Sequence, residues 1–197
     1  MLNARPINTA SVNAFLTQVG PRPVISNPLE QTEVYLLSVG DLRVPMSSFQ
    51  ATMRRSGKSF LQVVVPAGDA VLPALEYDAL MQVELGYYYP SDDMFDGLEV
   101  IASAPLEIIR SDQGPSRHTL TLSGYASSAQ SRSVSRALKS VSTRSISQGR
   151  LRVRCAVDLY LRPGDTAIES NGAEFVVDQI QYFVNATSAA MEVTEGG

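Results

Sequence analysis

The sequence predicts an all-β protein, mainly antiparallel, folded as a barrel or sandwich. First, Arg150–Leu161 alternates apolar and mostly charged residues, which is the period of a half-buried strand. Second, this run ends at Pro163-Gly164-Asp165, where the chain is expected to turn. Third, further segments with the same period follow one another at short spacing, separated by turn residues, as in sandwiches and barrels.

Residues 1–31 predict an extended arm, with at most one or two short helical segments expected in the whole chain. Three prolines lie between Pro21 and Pro28, and each restricts the residue before it to extended backbone. Phe15 and Leu16 are too apolar to leave in water. We expect the arm to dock either on its own domain or on a neighbouring subunit, and the sequence leaves both open.

Residues 32–125 predict the main barrel or sandwich, and residues 150–197 a meander that completes it. A loop or short helix is expected near Ala70–Asp78, and a turn-rich excursion at Pro90–Gly97. The expected strands are Thr32–Val39, Leu42–Arg54, Ser59–Pro66, Leu80–Tyr89, Leu98–Arg110, Arg117–Tyr125, Arg150–Leu161, Phe175–Val184 and Met191–Thr194.

Residues 126–149 interrupt the strand pattern. They are rich in serine and basic residues, and Val134, Leu138 and Val141 stand at helical spacing. We interpret them as a mobile connecting loop with a weak short helix, the alternative being a fully ordered element. They join either two parts of one β domain or two small β domains.

Charge is distributed unevenly along the chain. Between Gln113 and Val157 there are eight basic residues and no acidic one, although the whole chain has 16 basic and 20 acidic residues. We favour an arginine face that meets the acidic surface of another copy. The alternative is that these arginines bind phosphates, with Tyr87–Tyr89 as stacking surfaces. The candidate interface residues of the basic segment are Arg150, Arg152, Arg154, Arg132, Arg136 and Lys139.

We expect no catalytic centre, cofactor or metal. His118 is the only histidine, and no G-x-S-x-G motif accompanies it. Asp92, Asp93 and Asp96 resemble a calcium loop but lack the glutamate at the twelfth position. Cys155 lies on the apolar side of its strand, as a buried thiol does. A carboxylate pair for a hydrolase could come from any two strands, and nothing in the sequence selects one.

The order of several short segments resembles the tail-tube-like β-barrel module of phage tail hub and baseplate proteins. That family includes the contractile-tail hub and the siphophage distal tail proteins. The segments are Val34–Ser47 (VYLLSVGDLRVPMS), Ser59–Pro66, Leu120–Gly124 (LTLSG), Leu161–Asp165 (LRPGD) and Phe175–Phe183.

The resemblance covers residues 32–194 and implies a structural protein of the virion tail, assembled in the host cytoplasm without membrane insertion. Larger hub proteins carry two modules and form trimers, so one module implies a hexameric ring, with a trimer as the alternative. The implied partners are further copies, the tail tube protein and other baseplate or tail-tip proteins, with tape-measure protein and DNA in transit. A nucleic-acid-binding β-barrel is the leading alternative, and a β-sandwich hydrolase a minor one.

Overall fold

The computed structural model describes residues 32–66, 71–114, 117–127, 133–158 and 160–196. The predicted arm, with Phe15 and Leu16, and the candidate interface residue Arg132 lie outside these ranges. Fourteen strands make up most of the described chain, and all but one of their pairings are antiparallel. The complete helical elements within it are two 3₁₀ turns of three residues each. The all-β prediction is therefore confirmed.

The strands follow the chain in a simple order. The two 3₁₀ turns are Leu72–Ala74 and Pro90–Asp92. The strands are β1 (Thr32–Val39), β2 (Leu42–Val44), β3 (Ser48–Arg54), β4 (Ser59–Pro66), β5 (Leu80–Tyr89), β6 (Met94–Pro105), β7 (Ile108–Gly114), β8 (Arg117–Ala126), β9 (Ser135–Ala137), β10 (Thr143–Ser147), β11 (Arg150–Cys155), β12 (Thr166–Ile168), β13 (Glu174–Asn185) and β14 (Ser188–Glu195).

Two sheets enclose one hydrophobic core. The smaller sheet has the order β2-β1-β5-β6, and the larger has the order β10-β11-β14-β13-β3-β4-β8-β7, with β12 beside β13 and β9 parallel to β12. Leu37 and Val83 of the smaller sheet belong to the same buried cluster as Leu122 and Tyr182 of the larger one. The core therefore contains residues that come before and after residues 126–149 in the sequence.

Several predicted strand boundaries are wrong for local reasons. The predicted strand Leu42–Arg54 is two strands, because Pro45 lacks the N–H that a ladder needs. The predicted strand Leu98–Arg110 is also two, since β6 pairs with β5 and β7 with β8. The predicted strand Arg150–Leu161 stops at Cys155, and beyond it the N–H of Tyr160 donates to Oδ1 of Asp158 at 2.8 Å, a side-chain bond that competes with strand pairing.

The predicted loop and weak helix in residues 126–149 are also wrong within the part that the structure describes. β9 and β10 lie there, and β10 forms a hairpin with β11 through Gln148 and Gly149, which have φ of 53° and 74°. Two residues with positive φ match the twist of a tight hairpin. The helical spacing fails because Leu138 alone of its three apolar residues is buried.

In the parts of the chain that the structure describes, no helix has the length and apolar character needed to cross a membrane.

Candidate functional site

Arg150, Arg152 and Arg154, here called the arginine row, share the outward face of β11. Leu151, Val153 and Cys155 alternate with them and are buried in the core. On one side the row faces β10 and on the other β14, where Arg154 is in register with Glu192. The period of the strand thus places the three guanidinium groups together, as the sequence predicts.

The arginine row is largely compensated within the same chain. Arg150 Nη1 lies 3.0 Å from Asp178 Oδ2, and Arg152 Nη1 lies 3.8 Å from Glu192 Oε1. The guanidinium of Arg154 lies 5.8 Å from the centroid of the Phe183 ring. Exposed ion pairs of this kind contribute ~0–1 kcal/mol each. The row is therefore a mixed-charge surface, because β13 and β14 bring carboxylates beside it.

Arg136 and Lys139 lie apart from the arginine row. Arg136 belongs to β9 and Lys139 to the connection after it, and both line a cleft that also holds Asp158. The Nε and Nη2 atoms of Arg136 donate to the two carboxylate oxygens of Asp158 at 3.1 and 3.2 Å. The structure thus separates the basic residues of the candidate interface into two regions.

The outer strands of the larger sheet form a second surface, which sequence reasoning missed. Among the described residues, β10 pairs with β11 alone and β7 with β8 alone. Edge strands of this kind leave backbone N–H and C=O groups available to another chain. Ile146 of β10 is 72% exposed and Ile108 of β7 is 50% exposed. Which strands lie at the edges depends on the strand order, and the strand order depends on pairing between distant segments. The local sequence therefore does not identify these edges.

A cleft of about 640 Å³, here called the tyrosine cleft, opens between the smaller sheet and the β9 region. Its walls come from β1, β5, β6, β9 and the segment after β11. The side chains that matter for its chemistry are Glu33, Tyr87, Asp96, Arg136, Asp158 and Tyr160. These residues are spread over more than 120 positions of the sequence, so no local sequence motif predicts the cleft.

The polar groups of the tyrosine cleft are held in place by one another. Asp158 binds Arg136 through both oxygens and also accepts the Tyr160 N–H. The Arg136 guanidinium lies 5.2 Å from the centroid of the Tyr160 ring. Burial, followed by the nearby charges of Glu33 and Asp158, raises the pKa of Tyr87. Its phenol is therefore a neutral hydroxyl at neutral pH.

The groups considered for catalysis make the following contacts in the structure. Ser111 Oγ lies 2.7 Å from Nε2 of His118 across the exposed β7–β8 hairpin, a pairing that the sequence did not reveal. Burial, and then Asp158, raises the pKa of the Cys155 thiol to about 12, which suppresses the thiolate that a nucleophile requires. Asp93 accepts a hydrogen bond from the Tyr88 hydroxyl at 2.7 Å. Within the described ranges, no group of three or more His, Cys, Asp or Glu side chains could hold a metal ion.

Comparison with protein-family models gives no match, and comparison with curated proteins gives none either. Solved structures do match. A tail protein from Neisseria meningitidis aligns with a TM-score of 0.55 and 7% identity, over 83% of this chain and 96% of its own. The 43 kDa tail protein of prophage MuSo2 from Shewanella oneidensis aligns with a TM-score of 0.55 and 6% identity, over 82% of this chain and 97% of its own.

A third similar structure comes from a bacterial secretion system. It is an Escherichia coli component of the type VI secretion system, described as structurally similar to tail proteins of bacteriophage T4. It aligns with a TM-score of 0.51 and 7% identity, over 80% of this chain and 75% of its own. At 6–7% identity these likenesses establish a shared fold, that of phage tail proteins and of a tail-like secretion component.

Proposed function

We propose that this chain is a structural component of a phage-type tail, located at the tail tip or baseplate. The observation that carries the proposal is the fold shared with two phage-type tail proteins and a tail-like secretion component over at least 80% of this chain. In this role the protein connects the tail tube protein to more distal tail proteins and has no enzymatic activity of its own.

The proposal includes assembly into a ring of six copies, with three copies as the alternative. The two edge strands, β10 and β7, end the same sheet on opposite sides. One copy can therefore present β10 to β7 of the next copy, a head-to-tail contact that closes into a ring when the rotation allows it. Burial of Ile146 and Ile108 would contribute ~1.5–3 kcal/mol for each large side chain.

The arginine row has a steering role in this assembly. Its ion pairs with Asp178 and Glu192 leave little net charge, so apolar burial and edge pairing supply most of the affinity. Arg150, Arg152 and Arg154 then set the register of approach, because opposite charges on two surfaces orient an encounter. Arg136, Lys139 and Arg132 remain candidates for contacts with a neighbouring copy.

The N-terminal arm is proposed to fasten subunits together or to fasten itself to its own barrel. Phe15 and Leu16 are the residues proposed to be buried. Deleting residues 1–28 should lower the thermal stability or the assembly size of the protein. A deletion variant identical to the wild type in both properties would contradict this part of the proposal.

The passage that the ring encloses would admit tape-measure protein and DNA in transit. Retentive DNA binding, the alternative function, is less favoured because carboxylates stand beside Arg150 and Arg152 at the same surface. Negative-stain electron microscopy of the purified chain tests the proposal. We expect ring-shaped particles with a central opening and sixfold or threefold symmetry. A field of single globular particles at micromolar concentration would contradict it.

A further inference from the structure

We propose that the tyrosine cleft binds a neutral polyhydroxylated ligand, that is, a saccharide. This inference is independent of the tail role, because it rests on the chemistry of one cleft within one chain. The volume of about 640 Å³ lies within the ~300–1,000 Å³ that is usual for small-molecule sites. Strands β1, β5, β6 and β9 contribute to its walls, together with the segments that follow β9 and β11.

Two tyrosines from distant parts of the sequence line the cleft and are not buried. Tyr87 comes from β5, where its neighbour Tyr89 is buried, and Tyr160 comes from the segment that follows β11. Tyr160 is 44% exposed, although it lies beside Arg136. A phenol ring offers an apolar face and a polar tip. The C–H face of a pyranose ring packs on such a surface, while its hydroxyls reach the surrounding polar groups.

Both hydrogen-bond acceptors and hydrogen-bond donors line the cleft. Glu33, Asp96 and Asp158 supply carboxylate oxygens, and Arg136 and Lys139 supply N–H groups. A sugar hydroxyl both donates and accepts, so it needs both kinds of partner. The bonds from Asp158 to Arg136 and to the Tyr160 N–H fix part of this arrangement before any ligand arrives. Such preorganisation lowers the entropic cost of binding.

The same geometry disfavours charged ligands. An anion would meet three carboxylates, Glu33, Asp96 and Asp158, against the two cations Arg136 and Lys139, and Arg136 is already paired with Asp158. An organic cation would compete with Arg136, which already lies over the Tyr160 ring and pairs with Asp158. Among the described residues, no metal-binding cluster of carboxylates is present here or elsewhere. A neutral ligand with many hydroxyls is the class that remains.

Binding of the full-length chain to an array of neutral glycans tests the proposal. We expect saturable retention on at least one glycan, and we expect Tyr160→Ala to weaken it at least tenfold. Tyr77→Ala is the matched control, because Tyr77 is 66% exposed and does not line the cleft. Retention on no glycan, or equal loss in the two variants, would overturn the proposal.

A solution titration provides the second measurement. The chain has eight tyrosines and no tryptophan, so tyrosine fluorescence can report binding of the retained glycan directly. Asp96→Asn, on the β6 wall, should weaken glycan binding several-fold. This variant replaces Tyr160→Ala as the test if Tyr160→Ala does not fold. Choline chloride and inorganic phosphate are the charged competitors. Displacement of the glycan by millimolar choline or phosphate would show that the cleft binds charged ligands in preference to neutral ones, and the proposal would be wrong.

Discussion

Gly124 and Pro105 lie in direct backbone contact where the two sheets meet. A Cβ atom placed on Gly124 would lie 1.7 Å from the carbonyl oxygen of Pro105, far below the 3.0 Å that real Cβ atoms respect. Gly124 belongs to β8 of the larger sheet and Pro105 ends β6 of the smaller one. The absence of a side chain therefore lets the two sheets approach each other at this point.

Replacing this glycine should damage the fold. We predict that Gly124→Ala lowers the free energy of unfolding by ~3 kcal/mol or more, because the clash involves backbone and no rotamer change relieves it. Urea denaturation measures the effect. Gly196→Ala is the control, since its Cβ would lie 3.5 Å from the nearest atom. A Gly124→Ala protein within about 1 kcal/mol of the wild type would disprove the close contact.

Asp165 is a fully buried carboxylate that stabilises the turn after Leu161. Its Oδ1 accepts the N–H of Val134 at 3.1 Å, and its Oδ2 accepts the N–H of Arg162 at 2.9 Å. Asp165→Ala would leave two backbone donors without these acceptors, so we predict a loss of ~3 kcal/mol or more in unfolding free energy.

Two comparisons make the Asp165 prediction specific. Asp165→Asn keeps one acceptor oxygen and should cost less than the alanine variant. Asp112→Ala, at an exposed position of β7, should change stability by no more than ~0.5 kcal/mol. Equal stability of Asp165→Ala and Asp112→Ala in denaturant titrations would contradict the role assigned to the buried carboxylate.

Two buried groups, the Cys155 thiol and the Tyr182 hydroxyl, are expected to make the folded protein less stable at alkaline pH. Burial raises the pKa of the Cys155 thiol from 9.0 to about 12, with a further contribution from Asp158. Burial likewise raises the pKa of the Tyr182 hydroxyl from 10.0 to about 12, although Arg162 opposes the shift. The folded state therefore holds these protons more tightly than the unfolded state does.

The stabilisation from both groups is complete below pH 9 and is lost as the pH rises toward 12. Thermal unfolding measured from pH 7 to 12 should show a falling midpoint across that window. Cys155→Ala removes one titrating group, so its midpoint should fall less steeply than that of the wild type. A midpoint that stays constant up to pH 12 would show that neither group is buried as described.

The arginine row predicts a specific effect on assembly. We expect Arg150→Gln, Arg152→Gln and Arg154→Gln, introduced together, to shift the protein toward smaller species and raise its dissociation constant at least tenfold, about 1.4 kcal/mol. Glutamine is preferred to glutamate because a new carboxylate would repel Asp178 and Glu192 within the same chain. Analytical ultracentrifugation at low and high salt measures the shift.

Arg43→Gln, on the smaller sheet, is the control for the arginine row. Binding to short duplex DNA should be weak for the wild type at physiological salt and little changed by the triple variant. If the triple variant kept its assembly size but lost DNA retention, the nucleic-acid-binding alternative would be correct.

The fold class was predictable because strand period is a local property. Alternation in β4 and β11 identifies their buried faces without any knowledge of their partners. The turn at Pro163-Gly164 is likewise encoded by the backbone preferences of two residues. By contrast, β9 and β10 become strands because β12 and β11 are available to pair with them, which the sequence around them does not indicate.

The candidate site was predictable only in part, since its chemistry depends on distant residues. The sequence places Arg150, Arg152 and Arg154 on one face, but their acidic neighbours Asp178 and Glu192 come from strands about 25 to 40 positions later. The tyrosine cleft is lined by residues from five segments of the chain. These segments come together only when the smaller sheet packs beside β9 and the segment after β11.

The central claim is that copies of this chain close into a ring, and the mass of the native assembly tests it most directly. Native mass spectrometry of the full-length protein at micromolar concentration should give six times the chain mass of 21.3 kDa, or three times for the alternative trimer. A single species at the mass of one chain, persisting at high protein concentration and low salt, would contradict the account.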